Sequence, residues 1–375
     1  MTFKAIILAL ALPFLGVAPQ HDTMQKQFNV SPGKKLDIDL RTGGSLRITG
    51  WDKAIVSVKW RVRGRDADFS HVDVKEEGGG VSISSSYEGR RKNFNSDLEF
   101  EINVPDKFDL DLQTMGGGIT IDNVEGTIDG KTMGGALELS NLKGRLDLTT
   151  MGGKITLTNS DVDGRVKTMG GQVLVEDVSG DVKATSQGGS VIQRNVKRRS
   201  GEGIRNEVSI NTMGGDINVD DAPNGTDVHT MGGDIHIKSA ARYAKAKTMG
   251  GKIEIDAIDG RVEATTMGGE IKVVMVGDPS SGDRAVELQS MGGDVILTVP
   301  PALSMDVDIT LAYTRDRRDD YKIVSDFDLK QEETKEWDDD HGSPRKYIYG
   351  TGSVAGGKNK VRIKTVNGNV YLKKG

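Results

Sequence analysis

Apolar residues alternate with polar ones in short, regularly spaced pairs through the middle of the chain. The pairs are Ile119/Ile121, Leu137/Leu139, Ile155/Leu157, Val173/Val175, Ile217/Val219, Ile235/Ile237, Ile253/Ile255, Ile271/Val273 and Val295/Leu297. A period of two predicts strands with one face buried. Each pair follows a Met-Gly-Gly and leads into a turn such as NVEG, NLKG, DVDG, DVSG or AIDG. A second run follows, such as RLDLTT or RVEATT, and ends at the next Met-Gly-Gly.

The motif begins at Met115, Met133, Met151, Met169, Met213, Met231, Met249, Met267 and Met291, mostly in steps of eighteen. Gln187 takes the Met position in "SQGG", which leaves an eight-residue insertion before Met213. That unit also breaks the apolar pair, with Val191/Gln193. The step from Met267 to Met291 is six residues too long, and the excess falls around "GDPSSGD". Outlying copies stand at Thr42-Gly43-Gly44 and at Val366-Asn367-Gly368, which makes twelve candidate repeats.

A strand pair of this length cannot bury its own apolar face, but stacked copies can, each pairing with the next at about 4.8 Å. The expected fold is all-β: a single-chain β-solenoid of about twelve short coils with an N-terminal β cap. Propeller blades need roughly forty residues each, so a propeller fits less well. Tyr243 is the only aromatic between 115 and 300, which suits a narrow interior. The expected organisation is a signal peptide over 1–20, an N-terminal cap with the first coil over 21–112, and the solenoid over 113–300. A C-terminal excursion follows over 301–350, then closing strands and the last coil over 351–375. In the cap, VSVKWRV, VSISSSY and LEFEINVP read as strands. In the excursion MDVDITLAY reads as a strand, and the acidic QEETKEWDDD as a mobile loop.

The opening MTFKAIILALALPFLGVAPQ has a positive start, a short apolar run and small residues near its end, the pattern of a secretory signal. The expectation is export to the periplasm or cell surface. No later segment of the sequence is long and apolar enough to be a membrane-spanning helix. The chain has 375 residues, a net charge of −5 and no cysteine. The charge argues against general nucleic-acid binding. The absence of cysteine excludes disulfides, zinc knuckles, a thiol nucleophile and lipid attachment through a thiol. Glycine, at 49 residues, is about twice its average share of ~7%.

Several features bring the chain close to a known group. Phe28 and Val30 form a Phe-x-Val strand; Gly43 to Asp52 read GG-x-L-x-I-x-G-W-D; Ile102 to Pro105 read INVP; serial T-x-G-G units follow. Together they resemble the bacterial putative-adhesin family, over nearly all of the chain after the signal. The resemblance implies a β-helix-like fold and an envelope setting without catalytic residues, and some relatives are linked to envelope-stress signalling. One departure stands out. The family has a small polar residue before the turn glycines, where this chain has Met in nine repeats.

"HTMGGDIH", residues 229–236, looks like a ligand set for copper, nickel or zinc. Across the repeats, however, the position of His229 is held by Gln113, Lys131, Thr149, Lys167, Asn211, Lys247, Thr265 and Gln289. That of His236 is held by Thr120, Glu138, Thr156, Leu174, Asn218, Glu254, Lys272 and Ile296. Both are variable outward positions, so the histidines read as solvated, and no metal or cofactor is expected. Asp216, Asp234, Glu270 and Asp294, with Lys154 and Lys252, read as a mixed charged column rather than a catalytic pair.

By parity the nine methionines point outward in one row. They can pack over the corner glycines, form a contact strip or adaptable partner surface, absorb oxidant or hold copper. The Thr before each Met is expected to form a hydroxyl ladder serving backbone groups. Lys197, Arg198, Arg199 and Arg205 in the insertion form a candidate basic contact for an acidic partner. The expected function is non-catalytic: a repetitive surface for adhesion to a protein or cell-surface partner, with membrane-peripheral placement open. The alternatives are a sensory module in envelope-stress signalling and a self-assembling filament.

Overall fold

The computed structural model describes residues 23–89, 95–197, 208–316, 320–339 and 343–375. Residues 1–20, His21, Arg198, Arg199, Arg205 and His341 lie outside them, and with them the signal peptide and most of the basic insertion. The described chain is all-β: thirty strands in one continuous hydrogen-bonded sheet, with a single short 3-10 turn, Ala67–Phe69, and no α-helix.

The repeats stand in two parallel ladders joined by the Met-Gly-Gly turns. In the pre-turn ladder Leu112 pairs with Gly130, Gly130 with Leu148, Leu148 with Val166 and Val166 with Ala184. In the post-turn ladder Ile119 pairs with Leu137, Leu137 with Ile155 and Ile155 with Val173. Each step is eighteen residues, so sequence period and strand register coincide. The insertion before Met213 is passed without loss of register: Ala184 pairs with Ile210, and Val191 with Ile217.

The outlying copies join the same ladders. Lys35–Leu40 pairs with Asp109–Thr114, and Ser45–Trp51 with Ile119–Asp122. At the far end Asn359–Val366 and Val370–Lys374 pair with Val286–Ser290 and Val295–Val299. The first copy departs from the pattern in one respect. Leu40, not Arg41, pairs with Thr114, so its turn carries one extra residue before the glycines.

The inward alternation is as expected: all nine apolar pairs are buried. Alanines occupy inward pre-turn positions at 184, 244, 246 and 264, where the interior is narrow. Bulky side chains gather at the ends, with Trp60, Phe100 and Phe108 at one and Phe327 at the other. A third row of small or apolar residues fills the second corner, including Val124, Leu142, Val178, Ala222, Ala240 and Ile258.

Two strands were expected per repeat, but Ile155–Thr168, Ile235–Lys247 and Ile253–Thr266 run through the second corner. There the corner residues of adjacent repeats still pair, Ser160 with Val178 and Ala240 with Ile258, so the ladder continues around the bend. Left-handed residues supply that bend in the early repeats: Asn123, Asn141, Asn159, Asp177 and Asn195 all have φ between 48° and 58°. Asparagine and aspartate tolerate this conformation better than other side chains.

Both ends of the ladders are overlaid. Gly80–Tyr87 adds in parallel to Lys35–Leu40 and carries Ser70–Glu77 antiparallel outside it. Asp97–Pro105 adds to Ser45–Trp51, followed by Ile55–Arg63 and the edge strand Met24–Asn29. At the other end Met305–Thr314 adds to Asn359–Val366, followed by Arg345–Val354. The acidic stretch, expected as a mobile loop, begins instead with the edge strand Lys330–Glu333 paired to Arg345–Val354. Its register opposite Glu332–Tyr349 and Glu333–Ile348 leaves the charged side chains in water, which suits an edge.

Candidate contact edge

The Met-Gly-Gly turn is built from three side-chain requirements. The first is the hydroxyl before Met. Thr132, Thr150, Thr168, Ser186, Thr212, Thr230, Thr248, Thr266, Ser290 and Thr365 each donate to the carbonyl of the second turn glycine one repeat back, at 2.8–3.0 Å. Thr114 donates likewise to Gly44, at 3.1 Å. In nine of these repeats the second glycine of the same turn donates its N–H back to the hydroxyl, at 2.9–3.5 Å. A hydroxyl can donate once and accept twice, so each one bridges two turns. These hydroxyl residues are buried. The expected ladder is therefore present, and it satisfies backbone groups at a corner water does not reach.

The second requirement is the second glycine. A Cβ on Gly153 would lie 2.0 Å from the carbonyl oxygen of Gly135, and the same contact recurs at Gly171, Gly189, Gly233, Gly251 and Gly269 at 2.0–2.2 Å. The first glycine is different. A Cβ on Gly152 would meet nothing closer than Gly134 O at 3.6 Å.

The third is Met itself. The nine repeat methionines are 37–60% exposed. Their backbones are in register: Met231 N–H donates to Met213 O and Met249 N–H to Met231 O, both at 3.2 Å. Of the other described methionines, Met275 and Met305 are buried and only Met24 is exposed. The row is thus an edge of half-exposed thioethers, broken once by Gln187.

His229 and His236 stand on different ladders, on either side of the turn. His229 pairs in register with Asn211 and Lys247, and the His236 ring lies 2.8 Å from an Asp256 carboxylate oxygen. Among the described residues no group of three or more His, Asp or Glu is gathered as for a metal ion. The acidic column has a local task. Asp216 accepts the N–H of Asp234 at 2.9 Å, Asp234 that of Lys252 at 2.8 Å, and Asp294 that of Asn369 at 2.7 Å.

Outward charges pair between repeats. Arg165 grips Asp147 with two nitrogens at 2.9 and 2.6 Å, and Lys272 meets Glu254 at 2.7 Å. Those cations hold both carboxyls below their usual range, through the hydrogen bond first. An open groove of about 810 Å³ lies on the early repeats, lined by Asp109, Glu125, Arg145, Asp163, Asp181 and Lys183 among others. Burial pushes the Asp181 carboxyl up, and the charge of Asp163 adds to this. Lys197, the one described member of the basic insertion's candidate contact, has its backbone in the ladder, donating to Val178 O at 2.7 Å.

Some features have no counterpart in the sequence reading. Arg284, next to the six-residue excess, is buried at 1% exposure. It donates to Val276 O at 2.7 Å and Ser281 O at 3.0 Å, and it reaches Asp259 at 2.5 Å. It staples the enlarged turn to the repeat before it. Arg284→Met is expected to lower stability by about 2 kcal/mol, since Val276 O and Ser281 O lose a charged donor and Asp259 loses its cation. Urea denaturation would check this, and an unchanged midpoint would show that the turn holds without the staple. At the C-terminal end Tyr313 lies 6.1 Å from Tyr321 and 5.8 Å from Trp337, and Arg315 sits 4.9 Å from the Trp337 ring centre. Burial and the hydrogen bond to Glu333 push the Tyr313 phenol up to about 12. The signal for this cluster was the return of aromatics after residue 300.

Fold and edge together define a class: an all-β protein of in-register parallel repeats whose turn residues line one exposed edge. Among the described residues no helix is long and apolar enough to cross a membrane. No protein-family model and no curated protein matches the chain. Among solved structures, a "putative cell adhesion protein" from Clostridium sporogenes shares 11% identity, over 94% of this chain and 100% of that one, with a TM-score of 0.20. A "putative adhesin" from Parabacteroides distasonis shares 14%, over 68% and 98%, with a TM-score of 0.34. Another from Bacteroides fragilis shares 16%, over 95% and 100%, with a TM-score of 0.17.

Proposed function

We propose that this is a non-catalytic, exported envelope protein whose β-solenoid presents a long repetitive surface for adhesion to a protein or cell-surface partner. The two ladders are its walls, residues 21–112 and 301–350 cap it, and 351–375 close it. One observation carries the reading: equivalent outward side chains recur at fixed register over twelve repeats, a stack of roughly 53 Å at strand spacing. Such a surface repeats weak contacts with fixed spacing, which favours avidity over a single deep site. The contact residues on this reading are the methionine edge from Met115 to Met291, joined by the basic insertion at Lys197. A filament built end to end fits less well, because the outermost strands carry Lys75, Glu76, Glu77, Lys330, Glu332 and Glu333 at their edges.

The experiment is deletion of the gene in its host, with attachment to surfaces and induction of an envelope-stress reporter scored together. Loss of attachment, restored by the full-length gene, with a normal stress response is the expected result. Normal attachment with altered stress induction would overturn adhesion in favour of signalling.

A further inference from the structure

We propose that the methionine edge binds soft monovalent metal ions, copper(I) above all, between thioethers of adjacent repeats. The first ground is the choice of residue. The position is only half-buried, so a merely apolar demand would be met by Leu, Ile or Val, which fill the interior throughout. Yet it holds Met in nine of twelve repeats and never Leu or Ile; the exceptions are Thr42, Gln187 and Val366. What Met adds over Leu is a flexible chain and a polarisable sulfur. Thioethers select soft cations such as copper(I), whereas calcium and magnesium demand oxygen ligands.

The second ground is spacing. Met213, Met231 and Met249 follow one another by direct backbone hydrogen bonds, so their α-carbons are one strand spacing apart, about 4.8 Å. A metal–sulfur bond of about 2.3 Å lets one ion join two sulfurs up to ~4.6 Å apart. Neighbouring methionines meet that limit by leaning together on rotatable side chains. The backbone beneath them is fixed by the hydroxyl ladder, so little order is left to be gained on binding.

The row has two runs: four methionines, Met115 to Met169, and five, Met213 to Met291, with Gln187 between. At two thioethers per ion each run takes two, or about four ions per chain. Binding here is ligation alone, with no change of oxidation state. A thioether has no proton to lose, so affinity is expected to stay flat where imidazole and carboxylate sites weaken in acid.

The test is titration of the full chain with silver(I), a redox-inert probe, read by native mass spectrometry. Anaerobic copper(I) competition against a coloured copper(I) chelator accompanies it, at pH 5 and pH 7.5. About four ions, held equally at both pH values, is the expected result. Met133→Leu with Met169→Leu leaves no adjacent pair in the first run, and Met231→Leu with Met267→Leu does the same in the second. Each pair is expected to remove about half the ions while the circular dichroism spectrum is kept, since Leu preserves the apolar volume. Bound silver is also expected to slow peroxide oxidation of the repeat methionines and not of Met24. Failure to compete with the chelator, or full loading of the fourfold Leu variant, overturns the proposal; the second outcome would move the metal to His229 or His236.

Discussion

Gly153→Ala is expected to destabilise the protein by about 3 kcal/mol or more, while Gly152→Ala, one residue earlier, leaves it unchanged or slightly more stable. The two glycines differ in what lies behind them. A methyl on Gly153 would overlap the carbonyl oxygen of Gly135 at 2.0 Å and its carbon at 2.3 Å. Neither side can give way cheaply, because Gly135 O accepts from Thr150 and Gly153 N–H donates to the same hydroxyl. Relief requires parting two repeats at their tightest corner, which breaks ladder bonds on both sides. At Gly152 the nearest neighbour of the added methyl is 3.6 Å away, and the backbone there is not left-handed. An alanine at that position narrows the unfolded ensemble without native strain, worth about 0.4–1 kcal/mol. Urea denaturation of both variants, followed by far-ultraviolet circular dichroism, separates them. Equal midpoints would mean that the second glycine is not the point of closest approach between repeats.

The same corner shows how much a sequence of this kind discloses. Eighteen-residue spacing, inward parity, the hydroxyl ladder and the outward row of methionines are local patterns copied many times, and the structure repeats them in register. Residues that act between unlike segments are not copied, and those were hidden. Arg284 looks like an ordinary charge beside a turn, but its partners Val276, Ser281 and Asp259 meet only after an irregular repeat has closed. The edge strand Lys330–Glu333 has the composition of a loop, and only the partner Arg345–Val354 makes it a strand. The Asn column at the second corner was visible as letters, yet its left-handed backbone is what turns those letters into a bend. The methionines fall between the two cases. Their row was legible, but the backbone hydrogen bonds that join Met213, Met231 and Met249 one strand apart were not.

Removing one rung of the hydroxyl ladder tests whether the repeats are coupled through it. Thr150→Val keeps the shape of the side chain and deletes a donor to Gly135 O and an acceptor for Gly153 N–H, in a residue with no exposed surface. The expected cost is about 1–3 kcal/mol, the range for leaving buried polar groups unpaired. Thr150→Ser is expected to cost about 1 kcal/mol or less, since it loses only a methyl, and the chain itself uses Ser186 and Ser290 on this ladder. Thr168 donates to the carbonyl of Gly153, whose N–H serves Thr150, so successive hydroxyls are joined through a single glycine residue. Hydrogen bonds in such a chain polarise one another. Deleting one weakens its neighbour, so the double variant Thr150→Val with Thr168→Val should cost less than the sum of the two singles. Thr150→Val with Thr266→Val, six repeats apart, should add within about 0.5 kcal/mol. Strict additivity in both double variants would make each hydroxyl an independent plug for its own corner; a deficit in the adjacent pair alone would show that the ladder binds the repeats as one cooperative column.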